Sequence, residues 1–150
     1  MKCENCGGAL KHGEVEHSIT VDGRKYVDKV PAEICAKCRE DFVSAADLKK
    51  SELKAAAAIA NSGQVSGLTF RFMRNVMGFT AAQLGALLDA TPETISRWEN
   101  GKPVDRAAWV TLGGLVVAEL EGRKDALERL QRAASGKHSR AKTVHLDTAS

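Results

Sequence analysis

The sequence is poor in aromatic residues, with four Phe, two Trp and one Tyr in 150 positions, while 27% of it is charged. Such a chain suits one domain or two small ones and argues against a single large apolar core. Long apolar runs are also missing. None reaches the roughly 18 residues needed to cross a bilayer, and the opening MKCENC lacks the apolar segment of a signal peptide. The expectation is a cytoplasmic protein with no membrane partner. Nor does one charge sign dominate: 22 Lys and Arg face 19 Asp and Glu, for a net charge of +3, and no basic block stands out. Charge alone therefore neither identifies nor excludes a nucleic-acid partner, because a basic face can coexist with an acidic back. No grouping of Ser, His and acid reads as a catalytic set, so an enzyme is not expected.

What the chain does carry falls into three parts and a tail. Residues 1–43 read as a small β domain. Within SITVDGRKYV, Asp22-Gly23 supplies the positive φ angles of a tight hairpin turn between alternating strands. YVDKVPAEIC continues as a strand until Pro31 interrupts it. Residues 44–64 read as a linker helix with a hinge near Gly63. Ser44 caps it, with Asp47 three residues on, and the run Ala55 to Ala58 adds helix propensity but little apolar surface. Residues 65–134 are almost entirely of helical pattern. A helix over 66–77 offers Phe72, Met73, Val76 and Met77 to a core and stops at Gly78. The next begins at Thr80, which forms a capping box with Gln83, and buries Leu84, Leu87 and Leu88. A third begins at Thr91, with Pro92 at the first helical position, and stops at Gly101. A fourth runs from Asp105 to about Gly122, with Trp109, Leu112, Leu115 and Val116 on one side. A fifth, KDALERLQRAAS, spaces Leu127 and Leu130 three apart. Residues 135–150 have no period and are expected to be disordered.

The cysteines carry the first chemical signal. Cys3 and Cys6, then Cys35 and Cys38, form two C-x2-C pairs separated by 28 residues, and no cysteine is left over. Two residues between thiolates let one tight turn aim both at one ion, and two such knuckles complete a tetrahedral shell, so structural Zn2+ is expected. The interval exceeds that of common zinc ribbons, and the hairpin fills the excess. Disulfides are disfavoured in a reducing compartment, and a thioredoxin-like redox site needs one C-x2-C beside a βαβ pattern. His12 and His17 lie between the knuckles; since four thiolates close the shell, they read as exposed histidines.

The second signal is the pair of helices joined by the short turn DAT, a spacing that suits a helix-turn-helix. In the second of them Ile95 and Trp98 face inward, while Glu93, Thr94 and Arg97 share the outer face near the N-terminus, where base edges are reached. Arg97 can bond guanine O6 and N7 in bidentate fashion. Asn100, Lys102 and the backbone N–H groups behind the caps Thr80 and Thr91 are candidates for phosphate contacts. A plain helical bundle with a solvated face is the competing reading. Glu99 falls near the inner edge and needs a partner, for which Arg74 is the candidate.

The stretch from Met73 to Val104, MRNVMGFTAAQLGALLDATPETISRWENGKPV, resembles the lambda-repressor-like, Xre-type helix-turn-helix family. MGFT, QLGALL and ISRWENGK carry the likeness. MKCENCGG at the start, GRKYVDKVPAEICAKCRE after it, and an Xre-like domain beyond a linker helix together resemble MqsA-type antitoxins with a YgiT-type zinc finger, over roughly residues 1–115. The resemblance implies an α+β chain of two domains: a small zinc-bound β domain and an all-α five-helix domain. It also implies a homodimer formed through the C-terminal domain, binding to a palindromic operator in its own promoter, and a zinc domain that grips a toxin, often an mRNA-cleaving ribonuclease. The family's base readers map to Glu93 and Arg97. Glu93 stands where the family often has Asn, which points to a different operator, and Ala81 stands where the family often has a Gln that clamps the backbone. The last helix and tail extend past the family's usual end.

The expected function is that of an antitoxin which neutralises a toxin and represses its own operon. The alternatives are a standalone Xre-type regulator without a toxin, and a redox- or zinc-responsive DNA-binding switch.

Overall fold

The computed structural model describes residues 1–146. Two strands, β1 (Leu10–Val21) and β2 (Arg24–Cys35), and a short β3 (Asp41–Phe42) precede six helices. These are α1 (Ala45–Ser62), α2 (Gly67–Val76), α3 (Ala81–Leu88), α4 (Pro92–Glu99), α5 (Arg106–Leu120) and α6 (Asp125–Ser135). The chain is thus α+β, with an antiparallel sheet in the order β1-β2-β3.

The hairpin is longer than the sequence suggests. Its register runs from Leu10 opposite Cys35 to Val21 opposite Arg24. Asp22 and Gly23 both take positive φ, 47° and 76°, as a two-residue primed turn requires. Pro31 does not interrupt β2 as expected. It pairs with Glu14 on β1, whereas β3 pairs only at Glu33 and Ile34, so the other side of β2 is open at Pro31, where a missing N–H is tolerated. Burial alternates along β1, with Glu14, Glu16, Ser18 and Thr20 exposed and Val15, His17 and Ile19 half-buried. His17 is therefore not the exposed histidine expected, whereas His12 is open to solvent and pairs with Glu33 at 2.5 Å.

The segment 44–64 is helical and capped as expected: Ser44 accepts from the Asp47 N–H, and Gly63 ends α1 at φ 72°. Its packing corrects the sequence reading. Ala55, Ala56, Ala57 and Ile59 are buried, and α1 lies along α5. A Cβ on Gly113 would come within 3.1 Å of the Ala60 Cβ, so the alanine run is a surface for close helix approach. The hairpin tip joins the same apolar cluster through Val21, with Ile19 and Tyr26 against it. Polar contacts follow the same route: Lys54 bonds Asp28 at 3.3 Å, and the Tyr26 hydroxyl donates to Gln64 at 3.4 Å, just beyond the Gly63 cap.

The helices of 65–134 begin where the capping residues place them. Ser66 and Thr80 form capping boxes with Thr69 and Gln83. Thr91 and Asp105 accept from the N–H groups of Thr94 and Ala108. The core holds Phe70, Met73, Leu84, Ile95, Leu112 and Val116, all at 0% exposure. Each such side chain contributes about 1.5–3 kcal/mol of burial. The core aromatic of α2 is Phe70, while Phe72 is only partly buried. Phe70 meets Trp98 edge to face with ring centroids 5.8 Å apart. α6 buries none of its residues. Beyond it, residues 137–146 have no regular structure and are exposed; the last four residues of the segment expected to be disordered lie outside those described. No described helix is long and apolar enough to cross a membrane.

Candidate metal centre and candidate nucleic-acid interface

The sheet brings both cysteine pairs to one end. Cys3 and Cys6 precede β1, Cys35 ends β2, and Cys38 lies in the turn before β3. Their four sulfurs lie within 4.8 Å of one another. Cys3 and Cys38 approach to 3.7 Å and Cys6 and Cys35 to 3.4 Å. Tetrahedral zinc with Zn–S bonds of about 2.3 Å would set these edges at about 3.8 Å. The cluster could therefore hold one metal ion, and the all-thiolate set is consistent with structural zinc. Four protein ligands leave no open position for a substrate.

The two knuckles are built alike. The Gly7 N–H donates to the Cys3 carbonyl at 2.8 Å, and the Arg39 N–H to the Cys35 carbonyl at 3.0 Å. Gly7 and Arg39 both take positive φ, 72° and 61°. The Cys35 sulfur accepts from the N–H groups of Lys37 and Cys38. The Cys38 N–H does most to draw the Cys35 thiol down to about 6, with Lys37 adding and burial opposing. At Cys6 the Gly8 N–H is the largest single influence and lowers the value. The neighbouring sulfurs and desolvation together outweigh it and push the thiol up to about 12. A metal ion would relieve that crowding by binding the deprotonated sulfurs. Gly8 is a site residue that cysteine spacing alone misses: a Cβ there would stand 2.8 Å from the Cys35 sulfur and 2.9 Å from the Lys37 Cβ.

The α3–α4 pair is held by a close turn. Asp89 ends α3 in the left-handed region at φ 54°, and the Ala90 N–H returns to the Gly85 carbonyl at 2.9 Å. A Cβ on Gly85 would lie 2.4 Å from the Ala90 carbonyl oxygen. This is a second residue without a local signature in the sequence, since its φ is not positive.

On α4, Ile95 is buried and Trp98 half-buried, as expected, while Glu93 and Arg97 are exposed. Thr94 is only half exposed, and its hydroxyl lies 2.9 Å from that of Thr91. Asn100 is also engaged within the chain. Its side-chain oxygen accepts from Arg71 at 3.3 Å, and its amide donates to the Ser96 carbonyl at 2.7 Å. Thr80, Thr91 and Lys102 are exposed or at exposed caps. Among the described residues Arg97, Lys102 and Arg106 have no carboxylate partner, whereas Arg71 and Arg74 both face Glu99. Arg106, the first residue of α5, is an exposed cation that the motif did not single out. Compared with known proteins, the chain matches no family model and no curated relative.

Proposed function

We propose that this chain is a zinc-stabilised, DNA-binding antitoxin that represses its own operon. The observation that carries the DNA reading is the division of α4. One side is fixed into the core by Ile95 and Glu99, and the other offers Glu93 and Arg97 to solvent. Two further exposed cations, Lys102 and Arg106, follow just beyond the helix. A helix held this way can enter a major groove without rearranging, with Arg97 reading guanine and Glu93 tuning the neighbouring base toward cytosine. Lys102 and the N–H groups at the starts of α3 and α4 would meet phosphates. Asn100 supports this face through Arg71 and Ser96, and a phosphate contact from it would require those bonds to open. Binding by a homodimer through the C-terminal domain to a palindrome is part of the same reading.

The antitoxin half rests on the resemblance of the cysteine segment joined to such a helical domain. The four thiolates would hold zinc, and the β domain would offer the surface that grips a small ribonuclease. The test is purification of the native complex from cells, with mass spectrometry of what travels with the chain and selection of the duplex it prefers. A small ribonuclease and one enriched palindrome are expected. A preferred palindrome with no protein partner would replace the antitoxin reading with that of a standalone regulator. No sequence preference would overturn the reading of α4.

A further inference from the structure

The basic residues of α6 and its approach are neutralised locally. Arg123 meets Glu121 at 2.8 Å and Lys124 meets Glu119 at 3.1 Å. Arg129 meets Asp125 at 3.2 Å and Arg132 meets Glu128 at 3.9 Å. That pattern changes at the end of the helix. Gly136 turns the chain at φ 66°, and residues 136–146, GKHSRAKTVHL, carry Lys137, Arg140 and Lys142 and no carboxylate. All three cations are exposed, and among the described residues none has an acidic partner. Among the described residues, the hydrogen bonds of this stretch are to itself, to Ser135 and, from the Gly136 N–H, to the Ala133 carbonyl.

The position of the stretch gives these charges a use. The last turns of α6 share one cleft of about 790 Å³ with α4: Leu130, Ala133 and Ala134 line it together with Thr91, Thr94 and Trp98. The basic stretch therefore starts across this cleft from the N-terminal end of the helix read above as entering the major groove. Six residues of extended chain span roughly 20 Å, against a major groove about 12 Å wide. Lys137 to Lys142 can thus follow the phosphates along the groove's edge while α4 occupies it. An unstructured basic segment suits this partner, since phosphate contacts need charge and reach and no fixed shape.

We propose that residues 137–142 form a DNA-backbone-binding arm, with Lys137, Arg140 and Lys142 contacting phosphates beside the site occupied by α4. The proposal rests on the reading of α4 as the groove-entering helix. The test titrates the full chain, and the full chain carrying Lys137→Gln, Arg140→Gln and Lys142→Gln, into a mixed-sequence DNA duplex across about 50–200 mM salt, the range over which phosphate contacts show themselves. The slope of log affinity against log salt is expected to fall by about 1 for each charge removed, about 3 in all, with preference among duplex sequences unchanged. A second variant, Arg129→Gln with Arg132→Gln, removes paired cations from α6 and is expected to leave the slope nearly unchanged. Equal slopes for the triple variant and the unaltered chain overturn the arm, as does an equal loss in the α6 variant, which would make overall charge the cause. An unaltered chain that binds no duplex even at the lowest salt overturns the arm and the reading of α4 together.

Discussion

Arg74 on α2 and Glu99 at the end of α4 form a two-pronged ion pair across the core: Nε to Oε1 at 2.6 Å and Nη2 to Oε2 at 3.1 Å. The Glu99 side chain is 4% exposed and that of Arg74 15%. Arg74 also donates to the Phe79 carbonyl at 2.9 Å, so one guanidinium ties together α2, the entry to α3 and the end of α4. Its function in this account is to fix the angle of α4. Glu99→Ala leaves a mostly buried guanidinium without its carboxylate and is expected to destabilise the helical part by about 3–5 kcal/mol. Arg74→Met combined with Glu99→Met is expected to cost clearly less than either single change, with the lost Phe79 bond and the lost Arg71–Glu99 contact as the remainder. Urea unfolding of the three variants measures this. A double variant as unstable as the sum of the singles would contradict it.

Gly85 makes a sharper steric prediction. The Ala90 carbonyl oxygen lies 2.4 Å from where a Cβ would be, and it belongs to the backbone, which cannot swing away as a side chain would. Gly85→Ala is expected to destabilise the helical part by about 1–3 kcal/mol and to weaken DNA binding by displacing α4. Gly114, whose added Cβ would meet nothing within 4 Å, is the control: Gly114→Ala is expected to be neutral or stabilising. Thermal melts of the two variants decide it, and equal melting points would contradict it.

Much of this was legible in the sequence where the chemistry is local. The Asp22-Gly23 turn, the capping box at Thr80, Pro92 behind Thr91, and the two C-x2-C knuckles each complete their geometry within a few residues. The Arg74–Glu99 pair was also legible, because Glu99 falls on the same side of α4 as Ile95 and cannot remain there alone. What was not legible depends on partners distant in sequence. Ala55 to Ala57 look like mere propensity until the packing of α1 along α5, close enough for Gly113 to meet Ala60, leaves them buried. Pro31 looks like a strand breaker until β3 proves too short to reach it. Asn100 looks like a free phosphate donor until Arg71, a full helix away, engages its side chain.

Metal removal is expected to act mainly on the sheet. One ion per chain should be found by elemental analysis, and Cys35→Ser should abolish tight binding. Amides of β1 and β2 near the knuckles should then exchange quickly with solvent, while α2 to α5 stay protected by their own core. Ile19, Val21 and Tyr26 pack against that core, so the hairpin tip is expected to lose protection last within the sheet. Hydrogen exchange with mass spectrometry resolves these segments. Simultaneous loss of protection in the sheet and in α2 to α5 would contradict this and make sheet and helices one unfolding unit.

The contact between sheet and α1 gives a pH dependence. Burial raises the Asp28 carboxyl, but hydrogen bonds from Ser51 and Lys54, with the Lys54 charge, outweigh it and hold Asp28 below the ordinary value of 3.8. A carboxyl lowered on folding adds stability that is fully present above its unfolded value and is lost as pH falls through the folded one. Asp28 and Lys54 are 24% and 46% exposed, so the contribution is about 0.2–1 kcal/mol. Urea midpoints between about pH 6 and pH 3 should fall more steeply for the unaltered chain than for Asp28→Asn. Identical pH profiles would contradict it.

In the proposed function, α4 reads DNA through Arg97. The most direct measurement is the affinity of the full chain and of Arg97→Ala for the duplex the chain selects and for one altered at the contacted guanine. Arg97 is exposed, so its removal should leave the melting point unchanged. Arg97→Ala is expected to lose about 1–3 kcal/mol on the selected duplex and little further on the altered one, because the discriminating contact is already gone. A variant that binds the selected duplex as tightly as the unaltered chain, and still discriminates against the altered one, would contradict it.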